Sequence, residues 1–71
     1  MEAIRLTTTD GVKVFVALEE VSHFEAVKKG MVVHYDNGET LRVTETFPIL
    51  DYIFENYIFE INGTDKVLTV L

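Results

Sequence analysis

Ser22 and His23 stand side by side, and a serine beside a histidine can supply a nucleophile and its base. Such a unit works only if the imidazole reaches the hydroxyl and a third group orients the ring. Consecutive strand residues point to opposite faces, which predicts that these two side chains do not meet. No aspartate is placed to orient His23. The chain is therefore expected to have no catalytic residues and not to be an enzyme.

His23 and His34 are the two histidines, and there is no cysteine. A zinc site takes three or four ligands, so carboxylates would have to supply the rest. His23 lies between Ser22 and Phe24, and His34 between Val33 and Tyr35, positions that suit ordinary strand-surface residues. Asp36-Asn37-Gly38-Glu39 places two carboxylates in one short segment, but lacks the oxygen ligands of a twelve-residue calcium loop. The glycines at 11, 30, 38 and 63 are scattered and form no phosphate-binding loop. No metal and no cofactor is expected.

The elements that would position these residues are marked by turns. Asp10-Gly11, Asn37-Gly38 and Asn62-Gly63 are each flanked by β-branched or aromatic runs. Glycine accepts positive φ freely, and Asn and Asp tolerate it, as tight hairpin turns demand. Three hairpins are predicted. The first joins Ala3–Thr8 to Val12–Ala17, with Val14 and Val16 on one face and Lys13 and Phe15 on the other. The second joins Met31–Tyr35 to Glu39–Thr44. The third joins Tyr57–Ile61 to Lys66–Leu71. Between the first two, Leu18–Val21 suits a helical turn and Ser22–Val27 a strand, closed by Lys28-Lys29-Gly30. Asn62-Gly63-Thr64 also fits a glycosylation sequon, and a turn is the preferred reading.

One helix is predicted over Thr46–Glu55. Thr46 suits the cap, Pro48 the first turn, and Asn56 a left-handed terminus. Phe47, Leu50 and Phe54 form one stripe, while Ile49, Tyr52 and Ile53 spread over the rest. A helix apolar nearly all round is buried on more than one side. One side can rest on the sheet, and the other is expected to meet a partner. Aromatics are enriched in interface hot spots, and Phe47, Tyr52, Phe54, Tyr57 and Phe59 make up most of the eight aromatics.

Charge narrows the partners. The net charge is −6, with twelve acids against six bases. Most of the excess lies in residues 36–71. Duplex binding depends on Lys and Arg neutralising phosphates, so no nucleic acid is expected to bind. A basic protein surface would be the natural complement. The N-terminal sequence has no charged-then-apolar leader pattern, and Asp51, Glu55 and Glu60 interrupt the longest apolar stretches. A cytoplasmic protein with no membrane partner is expected. At 71 residues there is room for one domain, and chains this short often gain stability from a partner subunit.

Ile4-Arg5-Leu6-Thr7, Gly11, Val14, Val16, Val21, Phe24, Val33, Tyr35, Gly38 and Val43-Thr44-Glu45-Thr46 form a pattern that resembles the FlbD/SwrD family of small flagellar-associated proteins. It spans Ile4 to Ile53. Ala17 stands where that family tends to have Asn, and the third hairpin is additional. Val16 to Ala26 also resembles LytTR-type DNA-binding domains. That family binds DNA through basic and polar residues near its C-terminal part, and here the corresponding part is acidic, so DNA binding does not carry over. Both resemblances imply a small strand-rich domain with one helix.

The expected architecture is α+β over residues 1–71, a single β-rich domain. It would be a small, strongly bent antiparallel sheet of three hairpins, or a partly open barrel, with one short helix. The expected function is a non-enzymatic protein-interaction or regulatory module acting as a homo-oligomer. Its interface would be drawn from Phe47, Ile49, Tyr52, Ile53, Phe54, Tyr57, Leu68 and Val70. The terminal strand carries no side-chain charge beyond Lys66, so it has none of the usual protections of a free sheet edge. The alternatives are an acidic, virus-type inhibitor of a basic nucleic-acid-binding surface, and a small-ligand protein with its pocket at a subunit interface.

Overall fold

The computed structural model describes residues 1–61 and the backbone of Val67–Thr69. The alternating segment after Met1 forms β1 (Glu2–Thr7), which pairs antiparallel with β2 (Lys13–Ala17) in the register Ile4↔Val16 and Leu6↔Val14. A 3₁₀ turn, Leu18–Glu20, leads into β3 (Val21–Val27). Then come β4 (Gly30–Tyr35), β5 (Thr40–Val43), the helix α1 (Phe47–Asn56), and the short strands β6 (Phe59–Glu60) and β7 (Val67–Thr69).

The strands form two antiparallel sheets, ordered β6-β1-β2-β7 and β3-β4-β5. A bridge between Thr8 and Val43 and a bond from the Thr44 amide to the Thr7 carbonyl (2.9 Å) join them at one corner. The arrangement is the expected bent antiparallel α+β fold, open and not a closed barrel. The inner faces meet in a core of Ile4, Leu6, Val14 and Val16 against Met31, Val33, Tyr35 and Val43, with Leu50 of α1 added. Alternation in the sequence produces this directly, because period-2 side chains share a face.

Two of the expected hairpin turns form with the same geometry. At each, a type I-like turn is followed by a glycine with positive φ. Gly11 N–H bonds Thr8 O, and Gly38 N–H bonds Tyr35 O. Gly11 has φ 89° and Gly38 φ 90°, whereas Asp10 and Asn37 keep negative φ. These are three-residue hairpin loops, in which one left-handed residue suffices, not two-residue turns needing two. Asn37 contributes through its side chain, whose Oδ1 accepts the Glu39 amide at 3.0 Å.

The third hairpin is not formed. β6 pairs with β1, and β7 with β2, so the two strands lie on opposite edges of the first sheet. The unpaired backbones of β1 and β2 were the templates nearest to hand, and each terminal strand added to one of them. The Asn62-Gly63 turn lies outside the described residues.

The helix runs one residue later than expected, and two details differ. Thr46 occupies the cap position without a side-chain hydrogen bond. Asn56 does not adopt the left-handed conformation: its Nδ2 donates to Tyr52 O at 3.0 Å, and the helix closes with Tyr57 N–H on Ile53 O at 2.7 Å. The inward stripe is Leu50 with Ile53, not Phe47–Leu50–Phe54.

Candidate functional site

Ser22 and His23 do meet. Ser22 Oγ lies 3.1 Å from His23 Nδ1, contrary to the expectation from strand alternation. The register shifts between Val21 and His23, and such a bulge breaks the alternation and re-aims a side chain. Beyond it, His23 pairs with His34 across the ladder, and the two imidazoles stack with centroids 4.3 Å apart and planes 10° apart. His34 Nε2 contacts Glu25 Oε1 at 2.7 Å. Serine, histidine and carboxylate are thus neighbours on the outer face of the second sheet, but the carboxylate holds the wrong ring. A triad needs the acid on the imidazole that contacts the hydroxyl. The stacked rings are parallel, so their nitrogens do not converge on one point. Among the described residues no group of three or more His, Cys, Asp and Glu side chains is arranged to hold a metal ion. Asp36 and Glu39 sit in the β4–β5 turn, where they serve the hairpin.

The helix presents a different surface. Phe47, Ile49, Tyr52 and Phe54 are exposed, as are Tyr57 and Ile58 just beyond it. Tyr52 is 56% exposed, and Leu50, two positions earlier, only 6%. Of the residues expected at an interface, Ile49, Tyr52 and Tyr57 line one flank of α1, and Phe47 and Phe54 lie on the other, with Asp51 and Glu55 exposed between them. Ile53 is half-buried and packs on the core. Phe54 makes an edge-on contact with Phe24 of β3 at 6.2 Å. The side chains of Leu68 and Val70 lie outside the described residues.

Between this helix and the outer face of β1–β2 runs a groove of about 250 Å³. The chain leaves one end of β1 at Thr44 and Glu45 and returns to the other end at Phe59, so α1 runs alongside β1, with Leu50 in the core and Ile49 and Tyr52 lining the groove. Ile49, Tyr52, Ile53, Tyr57 and Phe59 contribute the apolar walls. Arg5, Thr7 and Lys13 contribute the polar face, all from outward positions of the first hairpin. The Arg5 guanidinium lies 5.8 Å from the centre of the Phe59 ring, which also meets Phe15 edge-on at 5.1 Å. Lys13 Nζ donates to Thr7 Oγ1 at 2.9 Å. Glu45 brings an acid to the lining, and its Oε1 accepts the Thr7 amide at 2.9 Å. Tyr52 and Tyr57 approach with ring centroids 5.7 Å apart. The hydrogen bond that the Tyr52 hydroxyl donates to Tyr57, and then the Tyr57 charge, raise the Tyr52 hydroxyl above its ordinary pKa.

The chain matches no family model, no curated protein and no solved structure.

The polar face of the groove has no local signal in the sequence. Arg5 and Lys13 look like the solvent side of a hairpin, as their alternation with Ile4, Leu6 and Val14 dictates. What converts that side into a groove is the return of the chain over it through α1 and Phe59, a long-range event without a local signal.

Proposed function

We propose that the protein is a non-enzymatic interaction module that works as a homo-oligomer, docking through the exposed apolar flanks of α1. The observation that carries this reading is the exposure of Phe47, Ile49, Tyr52, Phe54, Tyr57 and Ile58 within one short stretch of a 71-residue chain. Exposed apolar groups grouped in this way mark interaction surfaces, whereas single ones need no explanation. β7 adds a second route, since its backbone forms an outer edge of the four-stranded sheet. Edge strands without charge or proline invite pairing with another chain. A two-fold arrangement would cover both surfaces.

The acids are not confined to one element: Glu2, Glu19 and Glu60 gather around the Met1 amine, and Glu25, Asp36 and Asp51 lie on β3, the β4–β5 turn and α1. The absence of cysteine suits work in a reducing cytoplasm. Among the described residues no helix is long and apolar enough to cross a membrane. The relation to FlbD/SwrD-type proteins is part of this proposal and rests on the sequence pattern alone.

Sedimentation velocity at micromolar concentration tests the reading. A dimer or larger species is expected, and Ile49→Lys or Tyr52→Lys should return it to monomer with the circular dichroism unchanged. Leu68→Lys would dissociate it instead if the β7 edge carries the contact. A clean 8.1 kDa monomer for the unmodified chain would overturn the proposal.

A further inference from the structure

We infer that the groove between α1 and the outer face of β1–β2 is a binding site for a small carboxylate carried on a flat apolar ring. The inference goes beyond the docking proposal. The groove is built within one protomer and shares Ile49, Tyr52 and Tyr57 with the docking surface, so ligand and partner would compete there, but its polar face plays no part in the argument for self-association.

Three observations define the ligand. First, the walls are Ile49, Tyr52, Ile53, Tyr57 and Phe59, and such aliphatic and aromatic surfaces select a flat apolar body. Second, the space of about 250 Å³ is smaller than the roughly 300–1,000 Å³ of sites for drug-sized molecules, which limits the body to about one ring system.

Third, the charge is placed against the grain of the molecule. Acids outnumber bases twelve to six, yet Arg5 and Lys13 both line this groove. Among the described residues, neither has a carboxylate within ion-pair distance. The acid in the lining, Glu45, is engaged on the Thr7 amide. Arg5 is held over Phe59 and Lys13 by Thr7 Oγ1, so both cations are placed before a ligand arrives. Lys13 uses one of its three N–H donors on Thr7, and Arg5 has five in a planar fork. A carboxylate accepts from such a fork in two parallel bonds. The net charge of −6 opposes a multiply charged ligand more strongly than a single carboxylate.

Benzoate is the probe, with benzamide as its neutral counterpart and acetate as the charge without the ring. In two-dimensional amide NMR titrations of the full chain, benzoate should saturate in the millimolar range or tighter. Its shifts should centre on Thr7, Lys13, Tyr52 and Tyr57. Benzamide and acetate should each bind at least about tenfold more weakly. Arg5→Gln and Lys13→Gln should each weaken benzoate by about tenfold, with unshifted core resonances showing an intact fold. Lys28→Gln, in the β3–β4 turn, should leave it unchanged. On the unmodified protein, raising the salt should also weaken benzoate, which tests the charge contribution without any variant. Equal binding of benzoate and benzamide, shifts centred outside the groove, or the absence of saturation would overturn the inference. A monomer that still binds benzoate would defeat the docking proposal and leave this one standing.

Discussion

The carboxylate of Glu45 accepts the backbone N–H of Thr7 at 2.9 Å, across 38 positions of sequence. The neighbouring Thr44 amide donates to the Thr7 carbonyl, also at 2.9 Å. Both polar backbone groups of Thr7 are thus held by the segment that enters α1, which ties the helix to the end of β1. A hydrogen bond to a charged group contributes about 1.5–3 kcal/mol, and partial exposure lowers that here. Glu45→Ala should destabilise the fold by roughly 1–2 kcal/mol in urea denaturation. Glu45→Gln keeps an acceptor oxygen and should lose less than half as much.

Gly30 and Gly38 should respond in an order opposite to the size of the side chain introduced. A Cβ on Gly30 would stand 2.2 Å from Val43 O and 3.1 Å from Thr44 Cα, at φ +111°. Both contacts are backbone at the junction of the sheets, so nothing flexible can give. At Gly38, φ is +90° and a Cβ meets nothing within 4 Å. Gly38→Val therefore costs backbone strain alone, about 1–3 kcal/mol. Gly30→Ala adds the collision and should melt lower than Gly38→Val, and thermal denaturation of the pair settles the order.

Adjacent helix positions should differ sharply. Leu50 is buried in the core and Ile49 is 47% exposed. Leu50→Ala should cost about 2–4 kcal/mol through lost burial and a cavity. Ile49→Ala should stay within about 0.5 kcal/mol when unfolding is followed at low protein concentration. Equal effects would mean that α1 is rotated about its axis.

Tyr35 sets an alkaline limit. Burial, and then the nearby Glu39 charge, push its hydroxyl up to about 12 from 10. Below pH 10 both folded and unfolded chains keep the proton, and its contribution to stability is fully present. From about pH 10 to 12 the unfolded chain loses the proton while the folded chain holds it, so stability falls by on the order of 2 kcal/mol. Tyr35→Phe should remove that slope, and denaturant midpoints at pH 9 and 11.5 would show it. A slope unchanged in the variant would assign the decline to other groups.

Local pattern alone determined much of this protein. Alternation at Ile4, Leu6, Val14 and Val16 placed those side chains on one face, because a strand repeats every two residues. Asp10-Gly11 and Asn37-Gly38 marked the turns, because glycine alone enters positive φ without strain. Phe47 to Asn56 became a helix close to the expected bounds, with Pro48 in its first turn. Tertiary structure alone decided the rest, since each remaining feature depends on residues far apart in the chain. β6 and β7 found open edges of β1 and β2 instead of each other, a choice between equivalent backbone partners that no side-chain period encodes. A bulge at Ser22 turned two residues expected to diverge into neighbours. The return of the chain through α1 and Phe59 placed aromatic walls over Arg5 and Lys13, making a groove from what the sequence presents as a solvated face.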